Sequence, residues 1–124
     1  MKTCYICSPY RATREAELDN HIDYAQELTR KALAAGLAPI TPHLYLTQVT
    51  NDSKPEERAR GLKAGQALLL LCDCLIVGNR YGVSAGMQGE IAAAGVNNIP
   101  TICITDDTTP EELAELVEKA AIYG

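Results

Sequence analysis

The chain has no Phe and no Trp, and its only aromatics apart from two His are six Tyr. A stacking platform for single-stranded nucleic acid is therefore missing, although one Tyr can stack on one base. Positive charge is also scarce: 11 Lys and Arg stand against 16 Asp and Glu, for a net charge of -5. That balance excludes DNA, RNA and anionic membrane surfaces as non-specific partners, because each would be repelled. A single nucleotide is still admitted, since it needs only one local positive site. No apolar run approaches the roughly 20 residues of a membrane span, and no secretory signal is evident. The expected location is the cytoplasm.

Several chemistry-bearing patterns are missing as well. There is no G-x-G-x-x-G, no Walker Lys-Ser/Thr, no Gly-x-Ser-x-Gly elbow and no His-rich metal spacing. Dinucleotide dehydrogenases, P-loop enzymes, serine hydrolases and zinc enzymes fall away, and neither a metal nor a cofactor is expected. Five Cys, at positions 4, 7, 72, 74 and 103, form an odd set that fits a reducing compartment. Cys4-x-x-Cys7 lies in an expected strand, where positions i and i+3 face opposite ways. All five are read as buried structural thiols.

What is present is an alternation of short apolar runs and helical patterns. At 124 residues the chain is expected to form one domain over 1–124. Residues 2–8 read as a buried strand. Thr13 offers a cap to a helix over about 14–35, with Leu18, Ile22, Ala25, Leu28, Ala32 and Ala35 on its apolar face and Gly36 ending it. A second strand covers 37–41, and 42–53 reads as a polar loop. Ser53 and Glu56 form a capping box opening a helix to about Leu71. A third strand covers 74–77, Ser84 caps a helix to about Ala94, and a fourth strand covers 100–105. Thr109 and Glu112 box the last helix, with Leu113, Leu116, Val117 and Ala120 inward. The order βαβαβαβα predicts a parallel sheet covered on both faces, with strand order 2-1-3-4 and a ligand site at the switch point between strands one and three.

The two strand ends at that point carry the polar residues of interest. Ser84-Ala85-Gly86-Met87-Gln88-Gly89-Glu90 follows the third strand and opens a small-residue helix. Helix N-terminal amides hold anions, and Gly82, Gly86 and Gly89 let a ligand approach the backbone. Glu90, in the second turn, is placed to attack an anomeric carbon or steady an oxocarbenium ion. Ser84 reads as the cap and as part of an anion cradle. Ser8-Pro9-Tyr10-Arg11 follows the first strand, with Arg11 as a clamp on a phosphate or carboxylate and Arg80 and Arg14 as competitors. Tyr5 and Tyr10 are placed to contact a sugar or base. His43 ends the second strand, and Asp73 reads as a turn or capping residue before the third.

Tyr5 to Arg11, Cys72-Asp73 and Ser84-x-Gly86-x-x-x-Glu90 together resemble the nucleoside 2-deoxyribosyltransferase superfamily, including its 2'-deoxynucleoside 5'-monophosphate N-glycosidases. The resemblance spans most of the chain. It implies an α/β, Rossmann-like (flavodoxin-like) three-layer sandwich and a homodimer or higher oligomer in which a neighbour closes the site. It further implies Glu90 as nucleophile on C1', Ser84 on a 5'-phosphate, and Tyr5 and Arg11 lining the pocket. Thr41-Pro42-His43 looks like the end of strand two in those glycosidases. The superfamily's catalytic Asp, eight residues ahead of the acid matching Asp73, corresponds to Gly65 here. Its tight loop of an acid followed by Gly-Thr/Ser is replaced by residues 79–84. The fuller pattern looks closer to an uncharacterised bacterial and phage branch.

Two functions follow as expectations. One is cleavage or transfer at the N-glycosidic bond of a nucleotide or nucleoside. The other is non-catalytic binding of a nucleotide metabolite in the same pocket, favoured by Gly65. A scaffold with a vestigial pocket is the third possibility.

Overall fold

The computed structural model describes residues 1–123, and its elements alternate as the apolar pattern predicts. They are β1 (Thr3–Cys7), α1 (Glu15–Ala34), β2 (Ala38–Ile40), a 3-10 turn (Pro42–Leu44), α2 (Leu46–Val49), α3 (Pro55–Leu70), β3 (Cys74–Gly78), α4 (Ala85–Val96), β4 (Thr101–Ile104) and α5 (Pro110–Tyr123). The four strands are parallel, in the order β2-β1-β3-β4. β1 and β3 are buried along nearly their whole length, as unbroken apolar runs in a two-sided sheet must be. Cys4 pairs with Cys74 and Cys7 with Val77, which brings the ends of the two central strands side by side.

The helices form two layers. Ile6, Ile76, Ile102 and Ile104 on one sheet face pack against Tyr24 and Leu28 of α1 and Leu113 and Val117 of α5. Tyr5, Cys7, Leu75 and Val77 on the other face pack against Leu69 of α3 and Met87 and Ala94 of α4. Cys4 and Cys7 thus lie in different layers, as the period-2 argument requires.

Local chemistry explains where the elements begin and end. Gly36 has φ +83, the left-handed conformation that ends a helix at little steric cost. Thr109 and Glu112 form their reciprocal box at 3.1 and 3.3 Å. Ser84 caps α4 with a variation: its Oγ accepts from the Met87 amide at 3.3 Å, and the Met87 thioether sulfur accepts from the Ser84 amide at 3.5 Å. A methionine replaces the usual Glu because this position faces the buried layer. Asp73 Oδ2 accepts from the Thr3 amide at 2.8 Å and its hydroxyl at 3.2 Å, tying the turn before β3 to the start of β1.

Other local expectations are corrected. Thr13 caps nothing; α1 starts at Glu15 behind an extended Arg14, with Glu15 and Glu17 complementing its dipole. Its buried face is His21, Tyr24, Ala25, Leu28 and Ala32, so Leu18 and Ile22 are only half-buried. Residues 42–53 are not all loop. Pro42 presets the 3-10 turn, and hydroxyl bonds from Thr47 to the His43 carbonyl (2.7 Å) and Thr50 to the Leu46 carbonyl (3.0 Å) support α2. Ser53 is diverted from its box by Asn51, whose Oδ1 accepts from the Ser53 hydroxyl at 2.6 Å. Lys54 is then the N-cap of α3, with Pro55 at the first helical position. Cys103 and Leu116 are exposed. β4 is an edge strand whose alternate residues Thr101 and Cys103 face away from α5, on a side left open.

Candidate active site

Where β1 and β3 end side by side, their chains depart in opposite senses, one toward α1 and the other toward α4. A cavity of about 650 Å³ opens there, within the size range of small-molecule sites. α3 contributes Gly65 and Leu69 to its wall, and α4 contributes Gly86, Gly89, Glu90 and Ala93. Tyr5, Ser8, Tyr10, Arg11, His43, Ser84, Gly86 and Glu90 all line this one cavity. Arg14 and Arg80 do not line it.

Glu90 is half-buried in the cavity wall. It lies in the second turn of α4, above the face of β1 that carries Tyr5 and Cys7. Cys7 Sγ is 3.7 Å from Glu90 Oε1, and Tyr5, on the same face of β1, lines the cavity beside that carboxylate. Burial pushes the Glu90 carboxyl up to about 7, while hydrogen bonds from Tyr5 and Cys7 pull the other way. Burial, with the Glu90 charge second, drives both the Tyr5 phenol and the Cys7 thiol far above their ordinary ranges. Both therefore stay protonated and serve as donors. Gly65 faces this group from α3: a Cβ there would stand 3.3 Å from the Tyr5 hydroxyl.

The start of α4 brings unpaired donors to the same cavity. α4 begins at Ala85, so the amides of Ala85 and Gly86 have no intrahelical acceptor. No atom lies within 4 Å of a Cβ built at Gly89, and only the Ser84 hydroxyl lies that near one at Gly86. Ser8 is 1% exposed, and its Oγ is the one buried side-chain polar atom among the described residues with no partner. Such an atom costs free energy unless something supplied from outside completes it. Arg11 stands at the rim beside it, and Arg58, from the first turn of α3, reaches the same cavity.

Tyr10 and His43 stack at the entrance, with ring centroids 5.2 Å apart and planes at 22°. Burial lowers the His43 pKa, so its imidazole is neutral at neutral pH. From behind, His21 Nδ1 donates to the Tyr10 carbonyl at 3.2 Å and holds the loop after β1.

Arg80 is a latch outside the cavity and not a ligand clamp. Its Nε donates to Asp106 at 3.1 Å, its Nη2 pairs with Glu27, and its guanidinium lies 4.3 Å over the Tyr24 ring. The Tyr24 hydroxyl accepts from the Arg80 amide at 3.2 Å. Both carboxylates are half-exposed, so screening limits what the pairs contribute. Arg80→Ala is expected to lower the unfolding temperature by a few degrees, corresponding to about 1 kcal/mol. The difference should narrow in thermal melts at high salt. An unchanged melting temperature at low salt would remove the latch.

The family model described as Domain of unknown function (DUF7768) matches residues 2–104. The chain belongs to this family. No curated protein matches it. Among solved structures, the chain is similar to the 2-deoxyribosyltransferase of the psychrotolerant bacterium Bacillus psychrosaccharolyticus, at 14% identity and TM-score 0.66. The match covers 83% of this chain and 72% of the other. That likeness establishes a shared Rossmann-like fold.

Sequence reasoning missed several groups at the cavity or directly behind it. Cys7, which lies behind the wall against Glu90, was readable in principle, because Tyr5 and Cys7 must share a strand face. Arg58 carries no local signal; only the packing of α3 against the sheet brings it to the rim. α2 lends Leu46 and Thr47 to the outer wall, from a segment read as loop. Among the described residues, no group of three or more His, Cys, Asp or Glu side chains is clustered to hold a metal ion.

Proposed function

We propose that this protein cleaves or transfers at the N-glycosidic bond of a nucleotide or nucleoside, with Glu90 as the nucleophile. The observation that carries this reading is the convergence on one cavity of a half-buried carboxylate with raised proton affinity, free helix amides and the unpartnered Ser8 hydroxyl. Glu90 lies six residues beyond Ser84, about 9 Å along the helix axis. Its side chain leans back toward the N-terminus. A sugar above the carboxylate can therefore extend a 5'-phosphate to the amides of Ala85 and Gly86, with Ser8, Ser84 and Arg11 around it. The likeness to a 2-deoxyribosyltransferase fold agrees with this assignment.

The chemistry follows from the environment. Ionised Glu90, poorly solvated, attacks C1'. The C1'–N bond breaks, its electron pair leaves with the base, and a glycosyl ester forms on Glu90. Water, or a second base, then attacks C1', the ester bond to Glu90 breaks to free the carboxylate, and the proton shed by the attacking group goes to the departed base. The Tyr5 and Cys7 donors hold the carboxylate in place between steps. The stacked Tyr10 and His43 rings offer a face to the base.

The test is a panel of nucleosides and their 5'-monophosphates, ribo and deoxy, incubated with the protein and analysed chromatographically for free base. Base release from at least one member, with monophosphates favoured, is the expected result. Ligands that bind and are recovered intact across the whole panel would overturn catalysis. They would support the second reading, a binder of nucleotide metabolites. Gly65 favours that alternative, since none of the α3 residues lining the cavity is a carboxylate.

A further inference from the structure

Cys7 is fully buried behind the cavity wall, and its thiol lies against Glu90, the half-buried carboxylate that lines the cavity. Its Sγ is 3.7 Å from Glu90 Oε1 and 3.9 Å from the Met87 carbonyl oxygen, both on α4. A thiol has one proton to give, and the charged oxygen is the stronger acceptor. Tyr5 and Cys7 stand two residues apart on β1, so the pleat turns both toward α4. A carboxylate has about four lone-pair positions. The Cys7 thiol takes one of these, and the Tyr5 hydroxyl from the same strand is placed to take a second, with the remainder left to the cavity.

We propose that Cys7 is a positioning residue for Glu90, forming with Tyr5 a two-donor seat that fixes the orientation of the carboxylate and presents its free lone pairs to the ligand. A thiol suits this place. It fills the closed layer among Leu75, Val77 and Met87 as an apolar group would, yet supplies a weak donor where an alanine would supply none. The seat rests on Glu90 being a working group of the cavity; only the kinetic part of its test depends on the N-glycosidic reading.

The groups facing Glu90 bear on any titration. β1 presents Tyr5 and Cys7, and α4 presents the neutral Met87 carbonyl. α3 presents Gly65 and Leu69 without charge. At the rim stand the cations of Arg11 and Arg58, with Asp52 and the neutral His43. None of these rim groups is altered by a change at Cys7, so a change in Glu90 titration reports the thiol contact.

The experiment is an NMR titration of the Glu90 side-chain carboxyl in protein carrying 13C-labelled glutamate, for the wild type, Cys7→Ala and Cys7→Ser. Cys7→Ala should raise the Glu90 midpoint by about half a unit, the size expected for losing one weak donor. Cys7→Ser replaces the thiol with a stronger donor and should return the midpoint to the wild-type value or below. Where base release is measurable, the acid limb of its pH profile should move in the same order. Equal midpoints in all three proteins would overturn the proposal, as would a serine variant that titrates like the alanine variant. Should Cys7→Ala fail to fold, the serine variant decides alone, since an upward shift there contradicts a donor role. A shifted midpoint with no base release from any form would uphold the seat and reject the glycosidic reading.

Discussion

Glu90→Gln is expected to abolish base release while strengthening the fold above neutral pH. Glutamine keeps the shape of the side chain but cannot form the glycosyl ester, so the rate should drop on the order of 10⁴-fold or more. Nucleotide binding should survive, because the proposed anion cradle at the start of α4 is separate from the carboxylate. The stability effect follows from the same burial. In the unfolded chain Glu90 ionises near its ordinary 4.5, whereas in the folded protein it ionises near 7. Between those values the folded state binds more protons than the unfolded state, so stability declines as pH rises through this window. The contribution is complete below about pH 4.5 and lost above about 7, and amounts to about 3 kcal/mol. Glutamine carries no such penalty. The variant should therefore melt about 5–10 °C above the wild type at pH 8, with the gap closing at pH 5. Parallel melts at the two pH values check this. A gap independent of pH would mean that Glu90 is not the buried titrating group, and undiminished base release would remove it as nucleophile.

Gly78→Ala should be the most damaging single methyl in the protein. Gly78 ends β3 in the buried layer under α1. A Cβ there would sit against the Tyr24 hydroxyl, 2.8 Å from its Cζ and 2.6 Å from Leu28 Cδ1. Tyr24 cannot swing aside. It is 2% exposed, the Arg80 guanidinium covers its ring, and its hydroxyl holds the Arg80 amide. Either the ring or the strand end must shift, at a cost of about 2–3 kcal/mol and roughly 10 °C in melting temperature. The loop to Ser84 starts at this residue, so ligand affinity should fall with stability. Tyr24→Phe in the same chain removes one of the clashing atoms and should recover part of the loss. A Gly78→Ala protein that melts like the wild type would show that α1 yields more readily than its packing implies.

The contrast between Gly78 and Gly86 marks the reach of sequence reading. Both are glycines after an apolar run. One is required because a tyrosine 54 residues earlier fills its space; the other leaves open the space a ligand would enter. Gly36 and Thr109 were legible because their reasons lie within a few residues, in a left-handed C-terminus and a reciprocal box. Thr13 and Ser53 were equally plausible caps and failed: Asn51 takes the Ser53 hydroxyl, and α1 starts one residue too late for Thr13, behind an extended Arg14. Arg80 read as a competitor of Arg11 for the clamp because charge alone was visible; its partners Glu27 and Asp106 come from α1 and the loop after β4.

For the candidate site, the chain order settled the architecture. Alternating apolar runs and helical periods, joined by right-handed crossovers, leave few sheets to build, and the switch point follows from strand order. Ser84, Gly86 and Glu90 could be placed at that point because they sit on one short stretch of helix. The character of Glu90 was decided only in three dimensions. Its raised proton affinity comes from the water that β1, α3 and α4 jointly exclude, and its donors Tyr5 and Cys7 lie more than 80 residues earlier in the chain. Desolvation belongs to the packed assembly of elements, and no local pattern of residues encodes it.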